Sequence, residues 1–238
     1  MNAFDISIIH FLNAFAHRSE LFDTFVLNLS DNNLLKGGVI MALFWWAWVG
    51  SGDARRERRE LLLFGLFASL LAVLVARMLA LALPFRARPI HNPLLGFRLP
   101  YEMDPDALLH WSSFPSDHAA LFFAFATSMW FVSKRMGLVA YCYSFFFICL
   151  PRLYLGIHYP TDIIAGALLG IGTAAISNVL WLRQSVTRPV VDWIDRFPAP
   201  GYVFLFLFTF EIGEQFDSLR QVATMGYHSL TFVLQALR

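Results

Sequence analysis

Three side chains suited to phosphoryl chemistry fall close together in the stretch Pro151-Arg-Leu-Tyr-Leu-Gly-Ile-His-Tyr-Pro-Thr-Asp162. Arg152 offers a guanidinium, the side chain that grips phosphate oxygens in a bidentate fork. His158 offers an imidazole that attacks or moves protons near neutral pH. Asp162, four residues on, can reach back to hold one ring nitrogen of His158, which fixes the tautomer and leaves the other nitrogen free. Pro160 suits the first turn of a helix, so His158 sits just ahead of a positive helix end. The stretch joins two long apolar runs, and charges at such a junction are costly unless they meet water, a partner or a ligand. The bland alternative is a pair of interfacial polar residues.

Two further clusters carry complementary groups. In Leu83-Pro-Phe-Arg-Ala-Arg-Pro89, Arg86 and Arg88 follow the helix-breaking Pro84. They read either as phosphate clamps or as arginines snorkelling to lipid headgroups. In Phe114-Pro-Ser-Asp-His118, unpaired N–H groups at a helix start, the Ser116 hydroxyl and the backbone at Asp117 offer an anion site. His118 there can act as general acid or base. Ser116 or Asp117 would also cap that helix, and the two readings do not exclude each other. His118, His158 and Asp162, with His91 and His110 nearby, have the types of metal ligands. The arginines beside them oppose a divalent cation, so the expectation is phosphate binding with no metal and no cofactor.

The elements that position these clusters follow from composition. Hydrophobic residues make up 58% of the 238-residue chain and charged residues 15%, against about 45–50% and about 25% in soluble domains. The expectation is an all-α integral membrane bundle of about six transmembrane helices. Its spans are read at about 34–49, 61–83, 118–133, 137–155, 161–182 and 202–212, the last of them short for a core of about 30 Å. Residues 1–33 read as an amphipathic interfacial segment or as helix packed on the bundle. Residues 34–213 form the membrane domain, and 214–238 a tail or second interfacial helix. A net charge of +1 gives no electrostatic case for nucleic acid. Cys142 and Cys149, about 10 Å apart along a helix, are too distant for a disulfide.

Orientation follows from the arginines. Arg55, Arg56, Arg58 and Arg59, then Lys134 and Arg135, then Arg183, Arg188 and Arg196 all fall on one side of a six-span arrangement. The positive-inside rule makes that side cytoplasmic, so the three clusters face outward. Gly166 and Gly170 have the spacing of close helix packing, used either inside the chain or in a weak homodimer. Residues 90–113 form a long outward connection that either covers the site or packs passively.

Taken together, the clusters resemble the type 2 phosphatidic acid phosphatase superfamily. Its signatures are Lys-x6-Arg-Pro, Pro-Ser-Gly-His and Ser-Arg-x5-His-x3-Asp. Arg88 with Pro89 matches the first, Pro115, Ser116 and His118 the second, and Arg152, His158 and Asp162 the third. Three departures stand out. Leu81 replaces the Lys, with Arg77 or Arg86 as possible substitutes; Pro151 replaces the Ser; and Asp117 replaces the Gly. Pro-Ser-Asp-His looks like the bacitracin-resistance type of undecaprenyl-diphosphate phosphatase.

The resemblance implies that His158 attacks phosphorus while Asp162 orients it. His118 would protonate the leaving oxygen, and Arg88, Arg152, Ser116 and the backbone at Asp117 would hold the phosphoryl group. It further implies a membrane lipid substrate, with undecaprenyl diphosphate first and phosphatidic acid or phosphatidylglycerol phosphate as alternatives. A bacterial plasma membrane with an outward site is the expected setting. A catalytically silent lipid-binding or transport protein of the same fold is the reading from another class.

Overall fold

A computed structural model describes residues 2–50, 54–176 and 179–215. Among the described residues there are helices, turns and loops but no strand. In chain order the helices are α1 (Ala3–Asn13), α2 (Glu20–Asp31), α3 (Leu34–Val49), α4 (Arg55–Ala82), α5 (Asp117–Val132), α6 (Lys134–Tyr154), α7 (Pro160–Ala175), α8 (Leu180–Arg196) and α9 (Pro198–Gly213). Most of the tail expected at 214–238 lies outside the described residues.

Local chemistry sets the ends that matter for the site. The α4 helix stops at Ala82 because Pro84 cannot continue it, and Leu83 is already extended. Ser116 caps α5, its Oγ accepting from the Ala119 N–H at 3.4 Å. Pro160 opens α7 at a position where its missing N–H costs nothing. Within α6 a π-helical turn, Ser144–Cys149, comes just before Pro151, whose ring has no N–H to give the helix. Beyond α6 the chain turns sharply at Gly156, whose φ of +69° is in the left-handed region where glycine is unpenalised.

The α5 helix is the hub. It packs most extensively on α7 and α4, and then on α6. Its contact with α4 and α7 is built from Ala68, Ala72, Ala76, Ala120, Ala124 and Ala174. On its other side Phe122, Phe125 and Met129 join Phe44, Trp48, Leu62 and Leu66 in the main apolar core. Gly166 and Gly170 face α5: a Cβ on either would stand 2.2 Å from the Ser116 carbonyl oxygen or 2.3 Å from that of Ala120. The small-residue pair is therefore used inside the chain, as close helix contact requires.

Helices α1 and α2 pack on the bundle, burying Asp5, Ile9, Asp23 and Val26. Asp23 ties three parts together, accepting from the N–H groups of His17 and Tyr101 and from the Tyr154 hydroxyl. The long connection is thereby fastened to α2 and α6.

One expectation needs correction. The fifth span, read to Leu182, ends at Ala175, and the chain continues into a separate amphipathic helix, α8. Its Val191 and Ile194 enter the main core. Its charges pair with α4: Arg183 and Arg188 with Glu60, Asp192 with Arg56, and Asp195 with Arg59. The arginines read as an orienting signal thus also form a clamp between α4 and α8.

The six spans are met in part. By length and composition two helices, α4 and α6, suffice to cross a membrane. Helices α5, α7 and α9 have 16 residues each, about 24 Å at 1.5 Å per residue against a core of about 30 Å.

The α5–α7 contact yields a stability test. Gly170→Val should cost about 1–3 kcal/mol from overpacking, lowering the thermal midpoint in detergent. Gly172→Ala, where an added Cβ meets open space, should leave the midpoint unchanged or raise it slightly.

Candidate active site

The three sequence clusters meet at one end of α5. The link is backbone: the Ser116 N–H donates to the Asp162 carbonyl at 3.1 Å, and the Ser113 N–H donates to the Arg86 carbonyl at 2.9 Å. The start of α5, the start of α7 and the segment leaving α4 are thereby locked together.

His158 is 2% exposed. Its Nδ1 lies 2.9 Å from the Ser113 carbonyl oxygen, an acceptor only, so Nδ1 carries the proton. The Asp162 carboxylate stands behind it at 3.6 Å. Sequence spacing assigned the tautomer to Asp162 alone; the structure gives the hydrogen bond to Ser113 and leaves Asp162 as a nearby charge. Asp162 accepts from the Tyr159 N–H at 2.7 Å and from Arg86 at 2.5 Å. Nε2 of His158 makes no hydrogen bond among the described residues. Burial pushes the imidazole pKa below its ordinary value, countered by Asp162.

Arg88 is also buried. Its guanidinium donates to the carbonyls of Trp111, Ile157 and Ser112 at 3.2, 2.7 and 3.2 Å. Burial lowers its pKa to about 10, with the Asp117 charge opposing that fall, so it stays cationic at neutral pH. Three carbonyls aim it without neutralising it.

A second histidine pair lies alongside. His118 Nδ1 is 2.9 Å from Asp117 Oδ1, and its Nε2 accepts from Arg152 at 2.6 Å. The other Asp117 oxygen pairs with Arg77, whose guanidinium also lies 5.0 Å from the Trp111 ring centre. Arg152, His118, Asp117 and Arg77 form one continuous chain.

A cleft of about 640 Å3 opens beside these groups; its lining includes Asp117 but not His118, Arg152 or Ser116, which stand behind it. Arg77, Arg88, Asp117 and His158 line it, with His110, Trp111 and Ser112 at one side and Val73, Ala76, Ala80, Leu81, Leu83 and Phe85 along another. Trp111 and Ser112 belong to the long connection, which therefore shapes the site directly.

Not every expected residue reaches the cleft. Arg86 turns away, pairing with Asp162 and Asp5 and stacking 4.2 Å from the Tyr159 ring centre. Arg77, one turn before the motif position, is the cation that stands beside Leu81. The anion site expected from free N–H groups at the α5 start is largely taken. Ser116 Oγ accepts from Ala119, Asp117 Oδ1 accepts from the His118 N–H at 2.8 Å, and Ser116 itself is fully buried. Short acidic and hydroxyl side chains at a cap satisfy the backbone donors beside them.

Sequence reasoning missed Ser113 and Asp5, and placed Trp111 only within a connection that covers the site or packs passively. Ser113 and Trp111 act largely through backbone carbonyls or ring faces, which leave no mark of residue type. Asp5 did leave one, a carboxylate in an apolar stretch, but nothing in its spacing ties it to the three clusters.

A helical bundle that sets His158, Arg77, Arg88 and Asp117 around one cleft, with His118 behind Asp117, has the groups a phosphatase would use. Residues 61–185 match the PAP2 superfamily, and the chain belongs to it. It is 33% identical over 113 residues to the bacitracin transport permease BcrC of Bacillus licheniformis, covering 48% of this chain and 46% of that protein. The chain thus spans about half the length of that relative. It is 28% identical to the lipid A 1-diphosphate synthase of Escherichia coli over 83% of this chain and 82% of that one. A putative undecaprenyl-diphosphatase of the same organism is 33% identical over 75 residues, 29% of this chain and 35% of that protein. Among solved structures, LpxE of Aquifex aeolicus shares the fold with a TM-score of 0.53 at 24% identity, covering 74% of this chain and 95% of that one.

The depressed His158 pKa carries a pH dependence. A base whose folded pKa lies below its unfolded value binds fewer protons when folded, so stability falls as pH drops through about 6.5 and below. The thermal midpoint should decline over that range, and His158→Gln should decline less steeply. Parallel midpoint curves for the two proteins would contradict this.

Proposed function

We propose that this protein is a membrane lipid phosphatase that works through a phosphohistidine at His158, with undecaprenyl diphosphate as its first candidate substrate. The observation that carries the reading is the held imidazole of His158. Nδ1 is committed to Ser113, Nε2 has no partner among the described residues, and the ring lines a cleft shared with two cationic arginines.

In the first step Nε2 attacks phosphorus in line, the P–O bond to the leaving group breaks, and that oxygen takes a proton from His118. Arg88 and Arg77 stabilise the equatorial oxygens. Arg152, hydrogen-bonded to His118 in the ligand-free site, turns to the incoming phosphoryl group and frees His118 Nε2. Freed of Arg152, Nε2 takes up a proton from the arriving phosphate monoanion, Asp117 on Nδ1 supports the resulting imidazolium, and this is the proton passed to the leaving oxygen. In the second step His118 takes a proton from water, which attacks the phosphohistidine and releases phosphate. Asp162 offsets the positive charge on His158. A second phosphate group in place of water would make the reaction a transfer. That is the second reading, and similarity to the lipid A 1-diphosphate synthase over 83% of this chain favours it.

A bundle in a bacterial inner membrane suits the exterior. Leu74, Met78 and Leu81 on α4, Ile164 and Leu168 on α7, and Phe204, Phe206, Leu207 and Phe210 on α9 are all exposed. Exposed apolar side chains on that scale fit lipid contact. The short helices then complete six spans by local thinning of the bilayer. Residues 2–31 lie at its outer surface, and the cleft faces outward. Gly166 and Gly170 pack internally, so that pair offers no surface for a weak homodimer.

The decisive assay is phosphate release by purified protein against undecaprenyl diphosphate, phosphatidic acid, phosphatidylglycerol phosphate and lipid A, with chelator present and with a lipid acceptor present or absent. Undecaprenyl diphosphate should turn over fastest, unaffected by chelator. His158→Ala should abolish both turnover and covalent phosphate labelling, and His118→Ala should lower kcat by about 10²–10⁴-fold. Full turnover by His158→Ala, or abolition by chelator, would sink the mechanism; binding with no turnover of any lipid would favour the silent reading.

Orientation has its own test. In a Cys142→Ser background, an impermeant thiol reagent added outside should label Leu94→Cys, an exposed position in the long connection, and spare Ala54→Cys. The reverse pattern would invert the topology.

A further inference from the structure

The N-terminal helix contributes a carboxylate to the site from outside the residues that match the family. Asp5 on α1 is fully buried. Its Oδ1 accepts from the Thr161 N–H at 2.9 Å; its Oδ2 accepts from the Thr161 hydroxyl at 2.7 Å and from Arg86 Nη2 at 2.7 Å. The other terminal nitrogen of Arg86 donates to Asp162 Oδ1 and to Thr161 Oγ1. One guanidinium therefore bridges two buried carboxylates. One of them, Asp162, stands 3.6 Å from His158 Nδ1. The family match begins at residue 61, so nothing in that match accounts for Asp5.

We infer that Asp5 is a positioning residue for the nucleophile, acting through Arg86 to set how much negative charge Asp162 presents to His158. The inference rests on the phosphatase reading above. Anchoring α1 to the start of α7 does not by itself call for a charge. A neutral amide would accept from the Thr161 N–H equally well, and burying a carboxylate is costly unless its charge is used. The use is visible in the arrangement. Alone, Arg86 would form a closed pair with Asp162 and cancel its field at the imidazole. Shared with Asp5, the Asp5–Arg86–Asp162 group keeps a net negative charge beside the ring that becomes cationic when phosphorylated. The guanidinium is also held flat on Tyr159, with its centre 4.2 Å from the ring centre. It cannot turn to the cleft while Asp5 is present.

The charges that face His158 from each packed element are Asp162 on α7, Arg88 from the segment after α4 and Asp117 on α5. Asp5 and Arg86 act behind Asp162. Removing the Asp5 charge leaves Arg86 less opposed, which lowers the basicity of His158. Removing Arg86 does the opposite.

The test is kcat, KM and the pH dependence of kcat/KM for Asp5→Asn and Arg86→Gln in the full chain, with the best lipid phosphate of the panel. For Asp5→Asn, kcat should fall about 10- to 100-fold, the range seen when the outer partner of a functional histidine is lost. KM should stay within about twofold, since uniform binding is untouched. The acid limb of the profile, which reports His158 losing its proton, should move to lower pH. For Arg86→Gln the limb should move to higher pH, and this arm stands even if Asp5→Asn does not fold. Limbs that stay at the wild-type position, or that move the same way in both variants, overturn the assignment and reduce Asp5 to an anchor. The parent reading fails differently, by a wild-type protein that releases no phosphate from any lipid.

Discussion

The site exists because α5 and α7 approach each other more closely than side chains on both would allow. At Gly166 and Gly170 the surface of α7 is bare backbone, and the carbonyls of Ser116 and Ala120 on the α5 side occupy the space. That approach sets the two helix starts side by side and lets the Ser116 N–H reach the Asp162 carbonyl. Everything reactive hangs on these two starts. His158 and Asp162 belong to one, Asp117 and His118 to the other, and the Arg86–Arg88 segment is threaded between them by its bonds to Ser113, Trp111 and Ser112. In lipid, where helices gain little from burying apolar surface against each other, backbone-close packing of small residues is a principal source of such rigidity.

Around that contact the charges alternate. Arg77 meets Asp117, Arg152 meets His118, and Arg86 meets both Asp5 and Asp162. Arg88 differs, held by neutral carbonyls alone. In a site of low dielectric, a cation aimed by dipoles rather than by a carboxylate keeps most of its field for a ligand. Asp117 pairs with Arg77 and so sets a carboxylate beside one of the two arginines that line the cleft. The glycine found at this position in the family signature carries no such charge.

Sequence reading captured the helical class, the position of each main cluster and the pairing of His158 with Asp162 by their i, i+4 spacing. It failed at α8, which it folded into the fifth span. Leu180, Trp181 and Leu182 continue an apolar run in sequence, but Arg183 and Arg188 reach Glu60 on another helix, and that partnership has no local signature. Arg86 and Arg77 were equivalent candidates for the missing cation on spacing alone. Partners brought together by the fold, Asp162 and Tyr159 at the start of α7 and Asp5 from a helix 81 residues before Arg86, hold that arginine away, while Arg77 lines the cleft.

What the sequence determined by itself was a set of reactive types at helix ends. Pro84, Ser116 and Pro160 act on their own neighbours through missing donors, fixed φ angles and side-chain caps, and such effects do not need the rest of the chain. What the tertiary structure decided was what each histidine nitrogen meets and which arginine faces the cleft. Both depend on acceptors and donors brought from distant segments: the Ser113 carbonyl for His158, Arg152 for His118, and Asp5 for Arg86. A hydrogen bond is set by distance and angle between atoms, and spacing along the chain fixes these only within one helix.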